Sequence, residues 1–169
     1  MLIISMTPES QAAINDMVDR LESIGERLGP PVIEAAIDLA QTVILSNFQG
    51  EGSGIVGGRQ WAPLRPRTQR ERAWLDLPGI GPEHPILIRT GALLESLVDE
   101  SSSSNVMEKM QIGPGHWKGR LGTTDSRFEE LQQGRSDMAA RPMWPVGDAE
   151  VRFVGLLNEQ VMKIVEEKF

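Results

Sequence analysis

The chain has 169 residues, with 17 lysines and arginines against 24 aspartates and glutamates and a formal net charge of -7. It contains no cysteine, which excludes a disulfide framework, a zinc finger, a thiolate iron–sulfur site and a cysteine nucleophile. A single domain over residues 1–169 is expected, because domains commonly run about 100 to 200 residues. The N-terminal run MLIISMTPES has only about five apolar residues before Pro and Glu and no basic ones, so it predicts neither a signal peptide nor a membrane span.

Two N-terminal helices are predicted, over 7–28 and 31–48. The first begins with Thr7 as N-cap and Pro8 at the first helical position. Its apolar residues fall three and four apart, which places one stripe on the helix. This stripe consists of Ile14, Met17, Val18, Leu21, Ile24 and Leu28. The run GPP (29–31) predicts the break, since a proline disfavours the helical conformation of its predecessor. The second helix has the wider apolar face and is expected to be the more buried of the two.

A glycine-rich run over 50–58 is followed by the basic run 59–72, which has a net charge of +4 in an acidic chain. Repeated prolines argue against regular structure over about 50–85, and loops this long are usually functional or disordered until bound. We therefore expect a mobile basic arm. Its candidate protein-interface or lumen residues are Arg59, Trp61, Arg65, Arg67, Arg70, Arg72 and Trp74. Trp61 and Trp74 are expected to be exposed to a partner.

The arm permits two interpretations. Arginines interleaved with tryptophans are typical of a nucleic-acid contact, in which guanidinium groups bind phosphates and indoles stack on bases. However, the first 48 residues contain seven acidic and two basic side chains. Docking of the arm on the acidic body of an identical neighbour, or on another acidic protein, is therefore favoured over direct nucleic-acid binding.

The remaining elements predict an α+β fold, with a small, mostly antiparallel sheet flanked by the two N-terminal helices and a C-terminal helix. A helical turn capped near Thr90, a strand over 105–112 and a short helix over 127–133 ended by Gly134 come first. The final helix is expected to begin with Asp148 as N-cap. Its predicted apolar face comprises Val151, Val154, Leu157, Val161, Ile164 and Val165.

The inventory of reactive groups favours a protein that is not an enzyme and has no cofactor or metal. The run GSGIVG (52–57) has the spacing of a dinucleotide fingerprint but follows a helix instead of a strand, so a flexible hinge is the better interpretation. His84 and His116 lie in predicted loops without a nucleophile motif nearby, and surface histidines account for them. A histidine-based enzyme remains a distant third option.

Four patterns, in their order along the chain, resemble the bacteriophage virion morphogenesis, or tail completion, family. Phe48 is followed by glycines and QWAPL (60–64), similar to F…G…W-x-P-L. LIRTGALLESL (87–97) is similar to I-L-x-x-[ST]-G-x-L-x-x-S-[IL]. FEELQQG (128–134) and ARPMW (140–144) are similar to Y-A-x-x-H-x-x-G and x-x-R-P-[FW], although Phe128 replaces the usual Tyr and Gln132 stands where His is common.

The resemblance implies a structural virion component, made in the host cytoplasm, that forms a ring at the head–tail neck or the head-proximal end of the tail. It implies a hexamer most directly, with neighbouring neck, connector or tail-tube proteins as partners, possible contact with genomic DNA in the lumen, and no membrane. The alternative is a nucleic-acid-binding accessory factor that uses the basic arm. The expected structural anchors are Phe48, Thr90, Gly91, Leu94, Gly134, Arg141, Pro142 and Trp144.

Overall fold

A computed structural model describes residues 8–74, 87, 91–136 and 138–169. Within residues 8–74, the side chains of residues 11–71 are described. The elements in this part of the chain are helices α1 (Pro8–Gln49), α2 (Pro66–Trp74) and α3 (Ala92–Val98), strands β1 (Asn105–Gly113) and β2 (His116–Thr123), and helices α4 (Arg127–Gln133) and α5 (Asp148–Lys168). The two strands form an antiparallel sheet. The predicted α+β class is confirmed.

A single helix of 42 residues, α1, replaces the two N-terminal helices predicted from sequence, and it runs through Pro30 and Pro31. Packing explains why the expected break is wrong. The β1–β2 hairpin contacts α1 on both sides of the prolines: a Cβ placed on Gly29 would be 2.0 Å from the Trp117 indole, and one placed on Gly119 would be 3.0 Å from the side chain of Ile33. These close contacts hold the segments before and after the prolines in one line, so tertiary packing overrides local preference.

Burial divides α1 into two parts. Every side chain over 11–21 is exposed, whereas Ile37, Ala40, Val43, Ile44 and Phe48 are buried. This confirms that the C-terminal half of the predicted helical region is the more buried. The span Gln11–Gln49 is also long and apolar enough to cross a membrane by length and composition, a test that the core helix of a soluble protein meets as well.

The hairpin covers α1 with one face and leaves the other open. The strand predicted over 105–112 is confirmed by β1, but β2 was not predicted. Gln111 pairs with Trp117, and Lys109 pairs with Gly119; this face meets α1, where Lys109 forms an ion pair with Glu34 at 3.3 Å. The opposite face carries alternate residues of both strands, namely Val106, Glu108, Met110, Lys118 and Arg120.

Two groups of buried side chains form the core, and α1 contributes to both. The first contains Ile44, Phe48, Trp61, Leu93, Leu97 and Met143. The second contains Ala40, Val43, Val56, Ala149 and Phe153. Because α1 contributes residues on two sides, it is the central element on which the other helices and the hairpin pack.

The expectation of an arm without regular structure over 50–85 is wrong for part of that range. Val56 and Trp61 are buried in the core, and residues Pro66–Trp74 form α2. The burial of Trp61 also corrects the expectation that it is exposed, because sequence alone does not show the pocket that Phe48 and Met143 build for it. Residues 75–86 and Thr90 lie outside the described residues.

The C-terminal helix begins where predicted, but with a different cap and a different buried face. Gly147 is the N-cap, and Asp148 is the first helical residue without a side-chain cap. Val151 is 72% exposed, whereas Phe153 is buried and packs its ring at 5.2 Å from that of Trp144. The large aromatic surface sets the rotation of the helix, so the predicted apolar face is wrong at Val151 and at Val154, which is 47% exposed. Helix α4 ends before Gly134 as predicted.

Candidate functional site

The motifs that are far apart in sequence converge on one cluster. The Trp61 indole N–H donates a hydrogen bond of 3.0 Å to the carbonyl oxygen of Pro142. Its ring meets that of Phe48 edge to face, with 5.7 Å between the centroids. The backbone N–H of Trp61 donates to the carbonyl of Glu51 at 2.7 Å. Trp61 therefore ties the glycine-rich turn after α1 to the segment that precedes α5.

Arg141 closes this cluster with a buried cation. The residue is 8% exposed, and its guanidinium donates to the carbonyl oxygen of Ala62 at 3.3 and 3.2 Å and to that of Pro63 at 3.5 Å. Burial lowers the pKa of Arg141 from its ordinary value. The partners of its guanidinium are carbonyl oxygens, so within the described chain hydrogen bonds, and not an ion pair with a carboxylate, satisfy the positive charge.

Gln132 and Asn47 hold the same segment from the other side, and neither was predicted as a site residue. The Gln132 side-chain oxygen accepts the backbone N–H groups of Met143 at 2.9 Å and Trp144 at 3.1 Å. Its amide donates to the Trp144 carbonyl at 3.1 Å, and the Asn47 amide donates to the Met143 carbonyl at 3.0 Å. We call the five residues Phe48, Trp61, Gln132, Arg141 and Pro142 the anchor cluster.

Four of the other predicted anchors are among the described residues, and Thr90 is not. Leu94 is a partly buried residue packed on the core, and Trp144 bridges the two core groups. Gly91 and Gly134 have φ angles of 81° and 77°, which side chains other than glycine rarely adopt. These two glycines therefore fix the chain direction before α3 and after α4.

Four of the predicted basic interface residues lie on the surface, and one of them, Arg65, lines a groove together with Arg141 of the anchor cluster. Arg59, Arg65, Arg67 and Arg70 are exposed. The α2 helix carries Arg67, whose Nε is 2.8 Å from Glu71 in an exposed pair of the kind that contributes little to stability. The side chains of Arg72 and Trp74 lie outside the described residues. These four arginines are exposed, whereas Trp61 is buried.

A groove opens between the start of α2 and the turn after α4. It encloses about 440 Å³. Its lining includes the apolar Pro63, Leu64 and Met138 and the basic Arg65, Arg135 and Arg141. Arg135 also forms an ion pair of 3.2 Å with Glu130. We call this feature the Arg141 groove; its apolar floor and basic rim suit an amphipathic segment that carries acidic residues.

The opposite end of the molecule presents an apolar and acidic surface. Five apolar side chains of α1 are 39–60% exposed: Ile14, Met17, Val18, Leu21 and Ile24. The tip of the hairpin lies beside them, with Pro114, Gly115 and His116 lining a cleft together with Val18 and Leu21. His116 is exposed there, and His84 lies outside the described residues. Within the residues that the structure describes, no group of three or more His, Asp or Glu could hold a metal ion.

A scan against protein-family models, a search of curated proteins and a search of solved structures each found no match to this chain. The likeness to virion proteins therefore depends on the four motifs themselves. The structure adds that residues of three of them, Trp61, Gln132 and Arg141, meet in one place.

Proposed function

We propose that this chain is a structural, non-enzymatic protein of the virion of a tailed bacteriophage, which assembles with copies of itself into a ring at the neck or the head-proximal end of the tail. In this role it completes the tail, joins it to the head, or both. Adjacent connector and tail-tube proteins are its other partners, and the resemblance implies six copies in the ring.

The convergence of the motifs on the anchor cluster is the observation that carries this proposal. Motif residues that are scattered over the surface would be expected of a chance likeness, whereas the F, W-x-P-L and R-P patterns pack on one another through Phe48, Trp61 and Arg141. The cluster is built from apolar rings and backbone hydrogen bonds. It supports an architectural role, because such groups fix chain segments relative to one another and supply no reactive side chain.

The charge distribution supports self-assembly. The basic residues beside α2 and the acidic residues of the first half of α1 lie on different parts of one chain, so copies can meet through unlike surfaces. Contacts between unlike patches are what a closed ring requires.

Electron microscopy of lysates from a phage that lacks this gene product tests the proposal. We expect filled heads separate from tails if the protein joins the two, or tails of uncontrolled length if it terminates the tail. Supplying the wild-type gene in trans should restore normal particles. Normal, infectious particles in its absence would overturn the proposal.

A nucleic-acid-binding accessory factor is the second candidate, and the exposed Arg65, Arg67 and Arg70 favour it. Binding through phosphate contacts falls steeply with salt concentration. Tight DNA binding by the isolated protein, weakened strongly between low and physiological salt and lost on substitution of Arg67 and Arg70 by Glu, would support this candidate over the ring.

A further inference from the structure

The first part of α1 carries an apolar stripe that lacks burial in the described protomer. Over residues 11–24, which we call the exposed segment, Met17 and Leu21 are 56% and 60% exposed. A helical stripe of this kind is normally the side that packs against another element. Asp16, Asp19 and Glu22 flank it, and Arg20 is already paired with Asp16 at 2.8 Å. The exposed segment is thus an amphipathic, acidic helix of about 21 Å.

The Arg141 groove has the complementary character. The half-buried Leu64 and Met138 and the exposed Pro63 provide its apolar lining, and Arg65 and Arg135 are exposed beside them. Arg141 adds a cation that is more than nine-tenths buried and is met by carbonyl oxygens. A buried charge is stabilised by an opposite charge, so a carboxylate that enters this groove would supply Arg141 with a counter-charge that none of the protomer's described ion pairs supplies.

The two surfaces lie at opposite ends of the same molecule. Leu21 and Phe48 are separated by 27 residues of one helix, or about 40 Å. Phe48 contacts Trp61, which binds Pro142 next to Arg141. The exposed segment therefore cannot reach the groove of its own chain, but it can reach the groove of a second copy.

We infer that the exposed segment of one copy docks in the Arg141 groove of the next copy, with its apolar stripe on the groove floor and its carboxylates towards Arg65, Arg135 and Arg141. This contact is head-to-tail, so its repetition gives a ring or a filament. The inference depends on the proposed self-assembly and names the two surfaces that perform it.

Engineered disulfides test the contact directly, because the chain has no cysteine of its own. Leu21→Cys and Met138→Cys variants are purified separately, mixed and oxidised with copper phenanthroline. We expect a crosslinked dimer that contains one copy of each variant. The matched control mixes Leu21→Cys with Val151→Cys, since Val151 is an equally accessible apolar residue on α5 at 72% exposure. This control pair should stay uncrosslinked.

A second measurement compares the oligomeric state of Leu21→Asp and Val151→Asp with that of the wild type by analytical ultracentrifugation. Both positions are exposed, so both variants should fold, as circular dichroism would verify. We expect Leu21→Asp to sediment as a monomer and Val151→Asp as the wild-type oligomer.

The failure of the docking contact and the failure of self-assembly give different results. If the wild type and Leu21→Asp assemble equally and the Leu21–Met138 crosslink is absent, the docking contact is wrong, but the proposed self-assembly into a ring is not contradicted. If the wild type is a monomer at all concentrations tested, self-assembly and the docking contact are both wrong. Co-sedimentation of the wild type, but not of Leu21→Asp, with lipid vesicles would assign the stripe to a membrane and overturn the docking contact.

Discussion

Trp61 and Pro142 are 81 residues apart in sequence, and a single hydrogen bond of 3.0 Å joins the indole of the first to the carbonyl of the second. The bond is made beneath the surface, since Trp61 is 4% exposed. It connects the turn after α1 with the segment that leads into α5. This hydrogen bond therefore links the two longest helices of the described chain through segments that lie outside both helices.

Trp61→Phe should separate the hydrogen bond from the aromatic packing. The variant keeps a ring near Phe48 but leaves the Pro142 carbonyl without its donor, and an unsatisfied buried acceptor costs about 1–3 kcal/mol. Trp61→Ala also removes the ring and should lower the free energy of unfolding by about 3–5 kcal/mol. Urea denaturation measures both. Equal losses in the two variants would show that the aromatic packing contributes little beyond the hydrogen bond, whereas an unchanged Trp61→Phe variant would show that the hydrogen bond contributes little.

Gln132→Ala should destabilise the protein through the backbone. It removes the acceptor of the Met143 and Trp144 amides and the donor to the Trp144 carbonyl. We expect a loss of about 1–3 kcal/mol in denaturant unfolding, because these groups are left without partners. The neighbouring Gln133 is exposed, and Gln133→Ala is the matched control that should be neutral. A stable Gln132→Ala variant would mean that water replaces the amide fully.

Gly29→Ala should disturb the contact between α1 and the hairpin. The new methyl group would lie 2.0 Å from the Trp117 ring, so the ring has to move, and overpacking of this kind commonly costs about 1–3 kcal/mol. Gly155→Ala is the control within α5, where a Cβ meets nothing within 4 Å. It should stabilise the helix by roughly 0.5–1 kcal/mol. Thermal unfolding should therefore shift in opposite directions for the two variants.

Asp125→Asn should reduce stability at neutral pH but not in acid. Asp125 accepts hydrogen bonds from the backbone N–H of Arg127 and from its guanidinium Nε, both at 2.9 Å, and the Arg127 side chain lowers the pKa of Asp125. A lowered pKa in the folded state contributes stability above the unfolded value of about 3.9, which is lost as the pH falls through the folded value. Unfolding curves of variant and wild type should therefore differ at pH 7 and converge as the pH falls through the lowered pKa of Asp125. A difference that stays constant with pH would exclude the ion pair as its source.

Charge reversal on α2 should affect assembly without affecting the fold. Arg67 and Arg70 are exposed, and the Arg67–Glu71 pair lies in solvent. The double variant Arg67→Glu/Arg70→Glu should keep the wild-type melting temperature but lose the oligomer seen by light scattering, because the surface beside the Arg141 groove would repel an acidic partner. Lys118→Glu, an exposed change on the open face of the hairpin, is the control and should assemble. Normal assembly of the double variant would remove α2 from the contact.

The sequence predicts those elements whose signals are local. Helix α4 with its terminating Gly134 and strand β1 follow from periodicity and turn residues within a few positions. Strand β2 escapes prediction because Gly119 and Gly122 have low strand propensity. Glycine suits position 119 because a Cβ placed there would lie only 3.0 Å from the side chain of Ile33. The continuity of α1 through Pro30 and Pro31 likewise depends on a hairpin about 85 residues further along the chain.

The residues of the site divide in the same way, into those that a local sequence pattern identifies and those that depend on distant parts of the chain. The arginines near α2 are identifiable from composition, and Arg141 and Pro142 from their motif. The burial of Trp61 depends on a pocket that three separate segments form together. Gln132 forms its hydrogen bonds with backbone groups. Because backbone groups are the same for every residue type, the sequence does not mark these partners. Only its place in the FEELQQG motif (128–134) distinguishes Gln132 from the exposed Gln133 beside it.

Pro30 and Pro31 have no amide hydrogen, so the α1 ladder lacks the bonds that residues 30 and 31 would donate to the carbonyls of Glu26 and Arg27. The direction of the helix at this point is set from outside, by the Trp117 ring seated on Gly29. In a ring linked through the first part of α1, this direction fixes the rotation from one copy to the next. The size of the side chain at position 29 would then control the curvature of the assembly and the number of copies that close it.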